Sequence, residues 1–184
     1  MKELLSEAIE VVDGVADRVG DWSRPSPCEG WTASDVLGHI TATLGRVRGV
    51  LAAGSPPAAV PDQGGSALTA WRAARDELLP FLVGIELSRV VQTPFGDRTI
   101  QAALARPTAD LCCHAWDIAA SQGEHLELPA HLLDVVQAVI DAVPPDALRQ
   151  AGLFGPAVEA GPEAGPTDRV MAWLGRTTPA AVAS

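Results

Sequence analysis

The sequence predicts an all-α fold, a four-helix bundle with short helical additions at its C-terminal end. Three observations predict it. Alanine, valine and leucine dominate a 47% hydrophobic content, with five Trp, three Phe and no Tyr, a composition that favours helices. Apolar residues recur at alternating spacings of three and four in separate segments, the period of one helix face. The 17 Gly and 15 Pro cluster between those segments, where they act as loop punctuation.

The first helix is expected over residues 3 to 20, where Leu5, Ala8, Val12, Val15 and Val19 form the apolar stripe. The segment from Asp21 to Trp31 contains Pro25, Pro27 and Gly30, which exclude a continued helix. Its two tryptophans, Trp22 and Trp31, mark a loop that packs down onto the body. Thr32 is the expected N-cap of the second helix, and Asp35, three residues on, resembles a capping box with Asp in place of Glu. That helix is expected to run to about Ala53, with Leu37, Ile40, Leu44, Val47 and Leu51 inward. A polar Pro/Gly loop over residues 54 to 65 follows.

The third helix is expected over about 66 to 83, with Ala67, Trp71, Ala74, Leu78 and Phe81 sharing a face and Pro80 kinking or ending it. Val90, Val91 and Thr93 favour extended structure before a turn at Pro94-Phe95-Gly96-Asp97; the reading is a short extended link rather than a sheet. The fourth helix is expected over about 99 to 122, ending at Gly123. Within it, Pro107 marks either its effective start or a kink. A shorter fifth helix covers residues 130 to 142, and Pro144-Pro145 stops it. Residues 147 to 166 read as loop. Thr167 is the expected cap of a last short helix carrying Val170, Trp173 and Leu174, with Gly175 after it and the final nine residues frayed.

The chain of 184 residues reads as one domain, a core of about 3 to 142 followed by a loop-rich extension. Net charge is −10 and only one Lys occurs, so no basic surface for nucleic acid or anionic membrane is expected. No apolar run approaches the roughly 20 residues that span a bilayer, and the N-terminus lacks the charge pattern of a signal peptide. The expected location is cytoplasmic. Cys28, Cys112 and Cys113 form no disulfide framework; the adjacent pair reads as core packing, and Cys28 as the more exposed thiol.

Two segments carry candidate chemistry. In Asp-Leu-Cys-Cys-His-Ala-Trp-Asp, residues 110 to 117, Asp110 and His114 stand four apart, one turn apart on one helix face. Two ligands so spaced can hold one side of a metal ion, and His39 is the best candidate for a third. On helical wheels His39 lies at the edge of an apolar face near Val36, Thr43 and Val50. His114 borders the stripe of Ile100, Leu104, Leu111 and Ile118, with Asp110 and Asp117 on the polar flank. Metal sites in bundles are built from such inward-projecting side chains. Spacing alone favours the plainer reading of two boundary histidines that have carboxylate partners.

Pro-Ser-Pro-Cys-Glu-Gly-Trp-Thr-Ala-Ser-Asp-Val-Leu-Gly-His-Ile, residues 25 to 40, resembles the segment opening the second helix of the mycothiol-dependent maleylpyruvate isomerase N-terminal domain. Residues 110 to 123 resemble that family's later motif, in which an acid and a histidine precede Trp-Asp. Leu153-Phe154-Gly155-Pro156 and the run from Asp168 to Arg176 resemble an actinobacterial branch of the group. The resemblance implies a DinB/YfiT-like bundle in which one histidine of the second helix and two ligands of the fourth hold a divalent metal. Carried over by motif position, these are His39, Asp110 and His114. Two departures stand out. The family has Glu where this chain has Asp110, and the isomerase carries an additional C-terminal domain, which points away from maleylpyruvate isomerisation itself.

Two imidazoles and a carboxylate leave a coordination position open, as catalytic zinc sites do. Zinc suits this set, with nickel, iron and manganese as other possibilities. An open position can take a thiol as thiolate. The expected function is therefore metal binding in a thiol transferase or isomerase-like enzyme using mycothiol or another low-molecular-weight thiol and an electrophilic substrate. The alternative is a non-catalytic bundle that binds a small ligand or partner through a metal anchor. Asp117, one turn after His114, is a candidate for holding a ligand from behind. Arg46, seven residues after His39, is a candidate contact for a substrate carboxylate. His125 and His131 read as surface residues. The wide apolar faces and the resemblance suggest a homodimer.

Overall fold

A computed structural model describes residues 1–53, 66–93, 96–144 and 154–177. The chain is mostly helical with one small sheet. Its elements are α1 (Lys2–Ala16), α2 (Ala33–Ala53), α3 (Ala67–Leu82), β1 (Val90–Thr93), β2 (Gly96–Thr99), α4 (Ile100–Ala103), α5 (Ala105–Ser121), α6 (Ala130–Asp141) and α7 (Pro166–Trp173). The expected loop over 54 to 65 and the residues Pro94 and Phe95 lie outside the described residues, as does the first part of the expected loop after 147.

Helix α5 is the centre of the molecule. It packs on α1, α2 and α6, while α2 also packs along α3. Every residue from Leu111 to Ala119 is buried. The polar flank expected on this helix meets water only at Asp110, one-third exposed, while Asp117 is fully buried and His114 nearly so. Neighbours on three sides leave the stretch from Leu111 to Ala119 no solvated face. The expected stripe of Ile100, Leu104, Leu111 and Ile118 is in the core, together with Leu5, Ile9, Leu37, Ile40, Leu44, Trp71 and Trp116. Cys112 and Cys113 are buried there too, and burial pushes their thiols up to about 12 and about 11.

The element ends follow local chemistry. α1 stops at Ala16, short of the expected residue 20, because tighter turns take over: Arg18 N–H bonds the Val15 carbonyl at 3.0 Å and Val19 N–H the Ala16 carbonyl at 3.3 Å. α2 begins with the expected capping box. The Asp35 carboxylate accepts from Thr32 N–H at 2.8 Å and from its hydroxyl at 2.6 Å, and Thr32 Oγ1 accepts from Asp35 N–H at 3.2 Å. Thr32→Ala should cost about 0.5–2 kcal/mol by removing this cap. A urea midpoint equal to wild type would show that the cap contributes nothing.

Pro80 sits in the last turn of α3, and the helix ends two residues later. The expected fourth helix is divided. Thr99 caps α4 by accepting from Ala102 N–H at 3.3 Å, the helix breaks at Leu104, and Pro107 occupies the first turn of α5, where its missing N–H costs nothing. Gly123, at φ 77°, closes α5: its N–H bonds Ala120 and the Glu124 N–H bonds Ala119, a Schellman arrangement.

β1 and β2 pair as antiparallel strands, with Val91 opposite Arg98 and Thr93 opposite Gly96, which corrects the expectation of a link without a sheet. The second strand, Gly-Asp-Arg-Thr, has no apolar alternation, and only Val91 of the pair is buried. Backbone pairing, not a hydrophobic pattern, makes this sheet.

Thr167 is not the cap of α7. The helix starts at Pro166 after Gly165, and the Thr167 hydroxyl is buried, donating to Glu127 at 2.9 Å and accepting from Leu128 N–H at 3.0 Å. Of the final nine residues expected to fray, residues 178 to 184 lie outside the described residues. Arg176 is 7% exposed and reaches the centre of the molecule.

Candidate metal centre

Two helices and one loop assemble the site. The capping box sets the start of α2, which places His39 two turns in. α5 presents Asp110, His114 and Asp117. The loop before α2 folds back on itself through Ser26 N–H to Trp31 O at 2.8 Å, Ala33 N–H to Arg24 O at 2.9 Å and Ser34 N–H to Trp22 O at 3.0 Å. That closure brings Cys28 and Trp31 over the histidines.

His39, Asp110 and His114 converge, each offering a ligand atom within 4.8 Å of the others. His39 Nε2 lies 3.1 Å from Asp110 Oδ2, and His114 Nε2 lies 3.5 Å from Asp110 Oδ1. The two imidazoles meet edge to face with centroids 4.8 Å apart. The Trp31 ring lies 5.2 Å from that of His39 and 6.1 Å from that of His114, stacked on the latter. His39 and Asp110 are each one-third exposed, so the cluster opens to solvent on one side, while Trp31, itself partly exposed, flanks it and the core lies behind it.

Asp110 and His114 are each aimed by a further contact. Thr43 Oγ1 donates to Asp110 Oδ2 at 3.0 Å and accepts from Arg46 Nη2 at 2.7 Å. His114 Nδ1 lies 2.9 Å from Asp117 Oδ2. Burial works against the Asp117 charge, but Arg176 and His114 hold its carboxyl at about 2. An ionised carboxylate only accepts, so His114 Nδ1 carries a proton toward Asp117, and Nε2 faces Asp110 and His39. This is the carboxylate–histidine arrangement that orients metal-binding imidazoles. Burial also opposes charge on Asp110 and on His114. The two histidines nonetheless hold Asp110 well below the usual carboxylate range, and Asp110, Asp117 and Cys28 hold His114 well above the usual imidazole value. The cluster thus binds protons and negative charge tightly against each other, the state a divalent cation would replace. Donor types, convergence and orientation fit such an ion.

Cys28, His114 and Asp117 form a second convergent group. Cys28 is half-buried, more exposed than Cys112 and Cys113, and its thiol donates to Asp117 Oδ2 at 3.2 Å. Arg176 already sits on this group: its Nε and Nη2 bond the two Asp117 oxygens at 2.8 and 3.0 Å. A resident guanidinium balances that carboxylate and repels a second cation, so the group with His39 and Asp110 fits a metal better.

Among the residues expected to act, Asp117 is in contact with His114, and Arg46 stands exposed at the mouth, linked to Asp110 through Thr43. His125 and His131 are on the surface, beside Asp168 and Glu7. Thr43, Trp31 and Arg176 were not assigned to the site from sequence. A signal existed for Trp31, inside the segment of residues 25 to 40 that carries His39. None existed for Arg176, whose role depends on where α7 docks.

The mycothiol maleylpyruvate isomerase N-terminal domain family matches residues 5–119. Two curated relatives, the uncharacterized proteins MT0763 and Rv0738 of two Mycobacterium tuberculosis strains, are each 30% identical over 163 residues, covering 88% of this chain and 87% of theirs. No solved structure matches the chain.

Proposed function

Because the chain belongs to the mycothiol maleylpyruvate isomerase N-terminal domain family, we propose that His39, Asp110 and His114 hold a divalent metal, zinc by preference, in a thiol transferase or isomerase-like enzyme. The observation that carries this reading is the three-donor cluster, with the Nδ1 of His114 engaged from behind by a buried carboxylate. The packing of α1, α2, α3 and α5 supports the DinB/YfiT-like bundle as its scaffold.

When bound, the ion would favour the thiolate of mycothiol or another small thiol over the thiol. The residues divide the remaining work. Asp110 supplies the negative charge that offsets the cation. Asp117 keeps His114 in one tautomer. Trp31 walls one side, its ring against both imidazoles. Arg46, at the open side, is placed to meet an anionic group on the electrophile.

Metal analysis and titration of wild type, His39→Ala and His114→Ala test the site. Wild type should bind zinc stoichiometrically and both variants should lose it; unchanged metal content in both would remove the site. The reaction is tested by thiol consumption with unsaturated and epoxide electrophiles, with and without metal. Metal-dependent consumption is expected. Tight ligand binding without turnover would instead favour a non-catalytic bundle with a metal anchor.

A further inference from the structure

Arg176 lies beyond the residues that match the family, which end at 119, yet it is built into the centre. Its guanidinium takes both oxygens of Asp117, Nε on Oδ1 at 2.8 Å and Nη2 on Oδ2 at 3.0 Å. Such a fork fixes the plane of the carboxylate as well as its position. The same Oδ2 meets His114 Nδ1 at 2.9 Å. The chain of contact runs from the C-terminal segment to a candidate metal ligand in two steps, all three side chains being buried.

The backbone delivers Arg176 there by construction. α7 ends in a Schellman arrangement, with Gly175 N–H on Ala172 O at 2.9 Å and Arg176 N–H on Met171 O at 3.0 Å. Gly175 has φ 87° and packs against the Gly155 backbone, where a Cβ would come within 2.8 Å; both constraints require glycine. α7 is fixed to α5 by Trp116 Nε1, which donates to Asp168 Oδ1 at 3.0 Å. Phe154 lies against the guanidinium, its centroid 5.8 Å away.

We propose that Arg176 is a positioning residue of the metal centre: acting through Asp117, it holds the His114 ring so that Nε2 faces His39 and Asp110, and the C-terminal segment thereby completes a site whose ligands come from α2 and α5. The inference rests on the metal reading above. A purely structural arginine would neutralise Asp117 without setting the direction of His114.

The test uses the full-length chain and Co²⁺ alone as the probe. Arg176→Met keeps the length of the side chain and removes the fork; Arg176→Lys keeps the charge and one donor. For Arg176→Met, folded by circular dichroism, Co²⁺ affinity should fall about 10–100-fold, the usual effect of losing a group that orients a ligand. The visible Co²⁺ absorption should change, and Arg176→Lys should recover part of both. Asp117→Asn combined with Arg176→Met should lose no more than Asp117→Asn alone, since the arginine acts through that carboxylate. Wild-type affinity and absorption in Arg176→Met would overturn the proposal, as would losses that multiply in the double variant. Should Arg176→Met fail to fold, the comparison passes to Arg176→Lys, whose wild-type affinity and absorption would overturn it equally.

A second readout needs no metal. Long-range ¹H–¹⁵N NMR of the His114 ring should give one narrow set of signals in wild type and a broadened or second set in Arg176→Lys. Identical ring signals overturn the positioning role even if wild type binds no Co²⁺, a result that would by itself refute the metal reading.

Discussion

Asp110→Asn should lower divalent-metal affinity by more than about 100-fold, beyond what loss of an orienting group costs, while the fold survives. Asparagine keeps the volume of the side chain and can still accept from Thr43, which now bonds Asp110 Oδ2 at 3.0 Å. What it removes is the negative charge held between His39 and His114, and with it the anionic oxygen that offsets a dication. Asp110→Glu should behave differently. Glutamate is the residue that the resemblance in sequence leads one to expect at this position, but here the carboxylate stands 3.1 Å from His39 Nε2 and 3.5 Å from His114 Nε2. An added methylene pushes it past Thr43, so affinity should weaken modestly or hold. If Asp110 were only an ion-pair partner of the histidines, both variants would stay within a few tenths of a kcal/mol of wild type, the scale of exposed helix pairs. Zinc titration against a chelator of known affinity separates the cases. Equal affinity in all three proteins would leave two histidines and end the three-ligand reading.

Trp116→Ala should produce the largest loss of stability, about 3–5 kcal/mol, from the cavity left by a buried indole. Trp116 is 1% exposed on α5 and donates to Asp168 on α7. Its removal therefore also takes away the hydrogen bond that fixes α7. For a domain of this size the loss corresponds to a fall in Tm of roughly 6–20 °C. Trp116→Phe should lose less, about 1–3 kcal/mol, chiefly from the buried Asp168 oxygen left without its donor. Calorimetry on both variants checks the order. An alanine variant that melts within a few degrees of wild type would mean that the α5–α7 contact contributes little.

Much of this molecule is legible along the chain. The apolar stripes of α1, α2 and α3 report which face is buried, because one face of each helix packs and the period of 3.6 writes that into the sequence. Thr32 with Asp35, and Gly123, mark helix ends, because capping is settled within a few residues. The convergence of His39 with Asp110 and His114 was approachable for the same reason: each residue lies at the edge of its own stripe, and the segments resemble a known family. Other features were decided only by tertiary packing. α5 is covered on three sides, so Asp117 is buried and wheel geometry misjudged it as a flank residue. The β1–β2 sheet forms through backbone pairing that side-chain alternation does not record. Thr167 looks like a cap and instead bonds Glu127 across the fold. Arg176 reads as part of a loose tail by position in the sequence. It becomes the partner of Asp117 only because α7 docks on α5 and Gly175 turns the chain inward. Contacts made by neighbours in sequence follow from local spacing. The pairing of Arg176 with Asp117 spans 59 residues, and its physical cause is the docking of α7, to which no local spacing corresponds.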